Sequence, residues 1–320
     1  MDESLLKELH FNNAETFIHA IVYGGELYEL MNSSYIFRGV SSDKYPLLPS
    51  ALRPENQEYL WHLAQYSTES NTLKDSEYQQ QELELVLLQK FFKKCDKNSL
   101  ITPNVERLRE SLFCDWVVFY GSDPNEAWLP NDLYEIASLA QHYGVPTRLL
   151  DWSKDIFVSL YFAVMGVLES YEKKSDSHDS MVLWALKSET LGSQYHCGDT
   201  YDFPLRIINP PYYGNPNLGA QQGVFTLWKT KKPYKTQFPH SIDYGIEIDR
   251  TPLNELLQQY FSNHEWDESQ TLLYKIYIPI SEAQNLYKYL ISIRYDASRL
   301  FPGYNGITKC IKQDALLQIE

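Results

Sequence analysis

The sequence predicts an α+β fold, and three observations carry that expectation. Short β-prone runs are scattered along the chain, among them "SSYIFRGV", "SMVLWAL", "GVFTLW" and "TLLYKIYIPI". Stretches with apolar residues at helical spacing lie between them and dominate residues 54–136. The two kinds of segment follow no regular βαβ beat, which argues against a doubly wound parallel sheet.

Composition narrows the class. The chain has 320 residues, enough for one elaborated domain or two smaller ones. Hydrophobic residues make up 43% and aromatics 14%, with 25 Tyr and 7 Trp, so a packed core is expected rather than disorder. Twenty-eight basic against 42 acidic residues leave a formal charge of −14. That balance disfavours a broad nucleic-acid or anionic-membrane surface, which needs clustered Lys and Arg, and still allows a local basic pocket. Cys95, Cys114, Cys197 and Cys310 are widely spaced without a CxxC pair, so neither a zinc site nor a disulfide framework is expected. The eight histidines never fall at ligand spacing, and no metal is expected. The longest apolar run, "IFVSLYFAVMGVL", falls short of the ~18 residues of a membrane helix. "MDESLLKELH" lacks a charged region followed by an apolar core, so the expectation is a soluble, cytoplasmic protein with no membrane partner.

In chain order, residues 3–32 carry apolar clusters at helical spacing, giving a helical segment broken near Gly24-Gly25. "SSYIFRGV" follows as a strand ending in a glycine turn. "EYQQQELELVLLQKFFKKC" and "RLRESLFCDWVVFYG" read as helices of an insertion spanning about 54–136. "NDLYEIASLAQHYG" has an asparagine cap and ends at Gly144. After a polar turn, "KDIFVSLYFAVMGVLESY" is a helix with Asp155 near its start. A charged loop precedes the central strand "SMVLWAL", and residues 189–223, rich in Gly, Pro, Asn and Tyr, read mostly as loop. The strands "GVFTLW" and "TLLYKIYIPI", a helix "SEAQNLYKYLISI" capped by Ser281, and a closing tail "LFPGYNGITKCIKQ" complete the unit, with 312–320 as a C-terminal end piece.

Three polar islands stand out. In "YIFRGVSSDKYPLLPSALRP", Arg38 ends an apolar strand beside Gly39, and its planar fork suits carboxylate or phosphate oxygens. Spacing alone favours a plainer role, a structural Arg–carboxylate pair. In "AQHYGVPTRLLDWS", Ser153 or Asp151 can cap the next helix, whose N-terminus attracts anions, with His142 and Arg148 in reach. The plainer role is a buried cap network with Asp151 paired to Arg148. In "GNPNLGAQQGVFTLW", Gln221 and Gln222 precede a strand; an amide can orient a hydroxyl or a water but is no base near pH 7. Exposed amides at a strand start are the plainer reading. No GxGxxG, GxxxxGK[ST], HExxH or GxSxG occurs.

These blocks, in this order, resemble the FRG domain family, named for its Phe-Arg-Gly motif. The motif is Phe37-Arg38-Gly39, followed by "LLPSALR", "LAQHYGVPTRLLDWS", "SLYFA", "AQQGVFTLW" and "LFPGYNGI" from about residue 35 to 311. A weaker resemblance is to ADP-ribosyltransferases of the Arg-Ser-Glu type. It implies a mixed, split β-sheet with the islands converging on one cleft between the sheet halves. It also implies NAD as co-substrate, with Arg38 and Gly39 at the pyrophosphate or nicotinamide ribose, Ser153 supporting the nicotinamide subsite and Gln222 in the position of the catalytic Glu. His142, Arg148 and Gln221 join the binding set. Gln222 departs from the pattern because an amide supplies no negative charge to the oxocarbenium-like transition state; Asp151 is the replacement carboxylate.

The resemblance therefore implies an NAD-consuming transferase or glycohydrolase, set as a toxin-like effector in bacterial antiviral defence, with a protein or nucleic-acid acceptor. The alternatives are a non-catalytic nucleotide- or nucleic-acid-sensing module using the same pocket, and a scaffold whose islands only hold the fold. Arg38, His142, Arg148, Asp151 and Gln222 are expected to lie close together.

Overall fold

Seven strands among the described residues form one mixed sheet: β1 Leu6–His10, β2 Tyr35–Val40, β3 Leu150–Ser153, β4 Ser180–Lys187, β5 Leu205–Ile208, β6 Gly223–Trp228 and β7 Leu273–Pro279. Their order is β1-β7-β4-β2-β3-β6-β5. This computed structural model describes residues 5–32, 35–65, 75–110, 127–170, 180–193, 203–233, 243–264 and 271–317. β1 runs parallel to β7, and every other neighbouring pair is antiparallel. The fold is thus α+β, with helices packed against a mixed sheet.

Strand alternation sends each strand's residues into two cores. On β4, Met181, Leu183 and Ala185 enter one core, while Val182, Trp184 and Leu186 enter the other. The first core is covered by α1 Ala14–Ile21, α5 Ile156–Ser170 and α7 Ala283–Ser292. The second is closed by α6 Leu253–Phe261, through Leu253, Leu257 and Phe261. A third core joins α3 Glu77–Lys97 and α4 Tyr134–His142 to β6 through Leu85, Leu88, Phe92, Ile136, Ala140 and Phe225. α2 Gln57–Ala64 packs on α3 through Leu60, Ala64, Leu83 and Leu87, so these two helices are joined by a core of their own.

α5 lies tightly on β2. A Cβ on Gly39 would sit 1.8 Å from the Ser159 main-chain oxygen, so only glycine lets strand and helix approach this closely. Gly39 is part of β2 and not of a turn after it. The joint between β2 and β3 is the weak line of the sheet. The two strands share only the register position Phe37 opposite Ser153, whereas β2 pairs with β4 along its whole length.

Several expectations are corrected. Residues 6–10 form edge strand β1 rather than helix, so the N-terminal segment belongs to the sheet. The stretch 150–153 is strand β3, paired with β6, rather than a turn. Residues 189–223 include helix Ser188–Ser193, β5 and helix Pro216–Ala220 besides loop. Ser281 makes no cap to α7; Glu282 stands at the N-cap, and its Oε2 accepts from Ala14 N at the start of α1, at 3.0 Å. The closing tail is α8 Tyr304–Leu317, which extends into the expected end piece. The expected helix "RLRESLFCDWVVFYG" is helical over Glu106–Glu110, and its remainder lies outside the described residues, as do the charged loop over 171–179, Cys114 and Cys197. No described helix is long and apolar enough to cross a membrane.

Candidate functional site

A cavity of about 660 Å³ opens where β2 and β3 part. Its walls come from Phe37, Arg38 and Gly39 of β2, from Gln141 and His142 at the end of α4, and from Asp151 to Ser153 of β3. Ser159 and Phe162 of α5, Gln221 before β6, and Phe301, Asn305 and Lys309 at the C-terminal side complete it. The volume lies within the ~300–1,000 Å³ usual for small-molecule sites.

Arg38 bridges the parting strands. Its Nη1 donates to the Asp151 main-chain oxygen at 2.8 Å and to Asp151 Oδ2 at 3.0 Å. One guanidinium nitrogen thus holds both the main chain and the side chain of the same β3 residue. The other carboxylate oxygen, Asp151 Oδ1, accepts from Gln141 Nε2 at 2.7 Å. Gln141 is oriented in turn by Thr147 Oγ1, which donates to its Oε1 at 2.7 Å. The Asp151 carboxylate is therefore fixed from both sides while 54% exposed, and Arg38 is only 14% exposed. Arg38 Nε is buried and makes no hydrogen bond among the described residues. Nε and Nη2 form the side-on fork of a guanidinium, the edge that grips planar or tetrahedral oxyanions in two bonds.

Two further groups tune the charge here. Burial holds the His142 imidazole below its usual pKa, partly offset by the Asp151 carboxylate, so the ring is neutral at pH 7. Arg53 is held by a bond from Nε to Leu48 O at 3.0 Å. Burial and then the neighbouring Arg38 guanidinium lower its pKa, with Asp151 among the groups opposing them. Arg53 is therefore a second cation within electrostatic reach of the Arg38–Asp151 pair.

The sequence-predicted residues divide. Arg38, Gly39, His142, Asp151, Ser153 and Gln221 line the one cavity. Arg148 does not. It is 3% exposed and faces α3, with Nη1 2.7 Å from Glu77 Oε1 and Nε 2.8 Å from Glu84 Oε2. Burial works against its charge, and the two carboxylates more than compensate. The expected Arg148–Asp151 pair is replaced by Arg38–Asp151. Gln222 also falls outside the lining. It is exposed, with φ at 47°, at the corner leading into β6, and its main-chain oxygen accepts from Lys154 N at 3.1 Å. Gln221 is the amide that faces the cleft, and its Nε2 donates to Leu300 O at 3.1 Å.

The start of α5 also differs from expectation. Asp155, and neither Ser153 nor Asp151, caps it: Oδ1 accepts from Phe157 N at 2.9 Å, and Oδ2 accepts from Tyr295 OH at 2.7 Å. A carboxylate already occupies the N-terminus where an anion was expected. Ser153 instead ties segments together, donating to Gln221 O at 2.7 Å and accepting from Asp155 N at 2.9 Å.

Sequence reasoning missed Gln141, Arg53, Phe162, Asn305 and Lys309. The last two sit in or just past the "LFPGYNGI" block, and Arg53 ends "LLPSALR", so the blocks located them without revealing what they face. No curated protein and no solved structure matches the chain. The FRG domain family matches residues 33–172, a span that holds Arg38, Gly39, His142, Arg148, Asp151 and Ser153 but ends before Gln221 and the C-terminal wall. The chain carries an FRG domain.

Proposed function

We propose that the protein is an NAD-consuming enzyme of ADP-ribosyltransferase-like type, with the cleft between β2 and β3 as its NAD site. The observation that carries the reading is Arg38: Nη1 is pinned to Asp151 while Nε, buried at the cavity wall, makes no bond to the protein. That edge suits a phosphate oxygen of the pyrophosphate. The parting of the sheet at Phe37–Ser153 supports the split-sheet architecture that the resemblance implies.

In this scheme the bond between the nicotinamide nitrogen and the ribose C1′ breaks, and its electron pair leaves with neutral nicotinamide. The positive charge on the ribosyl group faces Asp151, the only carboxylate in the cavity lining among the described residues. Water or an acceptor hydroxyl then adds at C1′ and releases its proton. Water yields ADP-ribose, and a protein or nucleic-acid acceptor yields its ADP-ribosylated form. A role as a toxin-like effector in antiviral defence belongs to the same proposal and rests on the family resemblance.

A second reading, a module that binds the nucleotide without turnover, is favoured by one observation: both Asp151 oxygens already hold hydrogen bonds, and Gln222 supplies no carboxylate. Incubation with NAD, followed by chromatography of released nicotinamide and by thermal shift, separates the two. Release that is lost in Arg38→Ala supports the enzyme. A thermal shift without release supports the binding module. Neither shift nor release overturns both.

A further inference from the structure

The cleft has a second group of lining side chains, chemically unlike the one around Asp151. Phe162 is 39% exposed on α5, although its helix neighbours Tyr161 and Ala163 are buried. A large apolar ring that lines a cleft beside amides and a cation offers a packing surface to a bound ligand. Its two aromatic neighbours, Tyr161 and Phe301, both meet it at steep angles, 80° and 89°, so neither ring stacks on its face. Lys309 stands close by, with Nζ 4.5 Å from the Phe301 ring centroid and 3.9 Å from Glu169 Oε1. The amides of Asn217 and Asn305 line the same cleft.

A partly exposed ring, amides able both to donate and to accept, and one cation together suit a purine nucleotide. The base has a wide apolar face and a polar edge, and its phosphate carries negative charge. A simple anion would make no use of the ring. We infer that Phe162, Asn305 and Lys309 form an adenylate subsite: the adenine stacks on Phe162, its edge bonds to Asn305, and Lys309 pairs with the adenylate phosphate. The inference rests on the NAD reading, which sets the nicotinamide ribose at Asp151 and leaves the other base to this end of the cleft.

The test is calorimetric titration of the full chain with NAD, ADP-ribose and nicotinamide mononucleotide, which lacks the adenylate half. The wild type is expected to bind NAD and ADP-ribose more tightly than the mononucleotide. In Phe162→Ala the ratio of NAD to mononucleotide affinity should fall about tenfold, the scale of one base–aromatic stack. Phe162→Tyr, which keeps the ring, should restore it, and thermal midpoints of both variants check that the fold persists. Equal losses for NAD and the mononucleotide, or an unchanged ratio, would overturn the subsite while leaving the NAD reading in place. Wild-type binding of the mononucleotide as tight as that of NAD would do the same. A wild type that binds none of the three ligands overturns the NAD reading itself, and the subsite with it.

Discussion

Arg38 Nη1 donates to both the main-chain oxygen and the Oδ2 carboxylate oxygen of Asp151, at 2.8 and 3.0 Å. The pair joins two strands that share one register position, so its geometry depends on a planar side chain with several donors. Lysine, a point charge, cannot hold both oxygens and still present a fork to a phosphate. Arg38→Ala and Arg38→Lys should therefore each lower nicotinamide release by at least ~100-fold, the scale of removing one preorganised electrostatic donor. Because the Asp151 partner is half-exposed, the thermal midpoint should fall by only a few degrees. A large fall in midpoint with release intact would make the pair purely structural.

Arg148 answers to different partners and should fail differently. Glu77 and Glu84 are buried around it, so removing the cation leaves two carboxylates with neutral donors but without the Arg148 charge. Arg148→Met keeps much of the volume and none of the charge, and should cost about 3–5 kcal/mol in urea unfolding. Loss of less than about 1 kcal/mol would mean that solvent reaches the pair.

The two arginines show where the sequence stopped being legible. Both sit at the edges of polar islands and both suit an anion, and local spacing cannot say which carboxylate each one meets. Arg148's partners lie on α3, 64 and 71 residues earlier in the chain, and α3 reads as an ordinary amphipathic helix although Glu77, Gln80, Gln81 and Glu84 are all buried. Strands β4 and β6 were readable because their apolar runs suit two-sided burial. β1 was not, because "LKELH" is a half-exposed edge strand whose sheet neighbour among the described residues, β7, comes more than 260 residues later. β3 carries Asp151 and Ser153 at alternate positions because one of its edges opens into the cleft, and polarity there imitates a turn.

The close seat of α5 on β2 gives a third prediction. In Gly39→Ala the new methyl would meet the Ser159 main-chain oxygen at 1.8 Å, which no rotamer can relieve. Strand or helix must shift, at about 1–3 kcal/mol or more. Chemical denaturation measures the loss, and a variant as stable as the wild type would show that the two elements move apart freely.

Gln221 and Gln222 should separate cleanly. Gln222 is exposed, and its φ of 47° favours glycine, so Gln222→Gly should match or slightly exceed wild-type stability, by up to ~1 kcal/mol, and leave nicotinamide release within about twofold. Gln221→Ala removes an amide from the cleft wall and its bond to Leu300 O, and should weaken NAD binding. Loss of release in Gln222→Gly together with unchanged binding in Gln221→Ala would restore Gln222 to the catalytic position that the resemblance implies.

The last prediction concerns pH. His142 has a folded pKa below its unfolded value, because burial disfavours the imidazolium more than Asp151 favours it. Between those two values the unfolded chain binds a proton that the folded chain refuses, so acid favours unfolding. The contribution of His142 is fully present above about pH 6.5, the unfolded value, erodes as pH falls below it, and levels off under the folded value. His142→Gln removes the titration. Wild type should therefore lose more stability than His142→Gln between pH 7 and pH 5, measured by urea midpoints in matched ionic strength. Added nucleotide should steepen the contrast if His142 stays neutral against it, and flatten it if bound phosphate draws the ring into its charged form. Parallel stability curves for the two proteins would mean that the imidazole is as well solvated folded as unfolded.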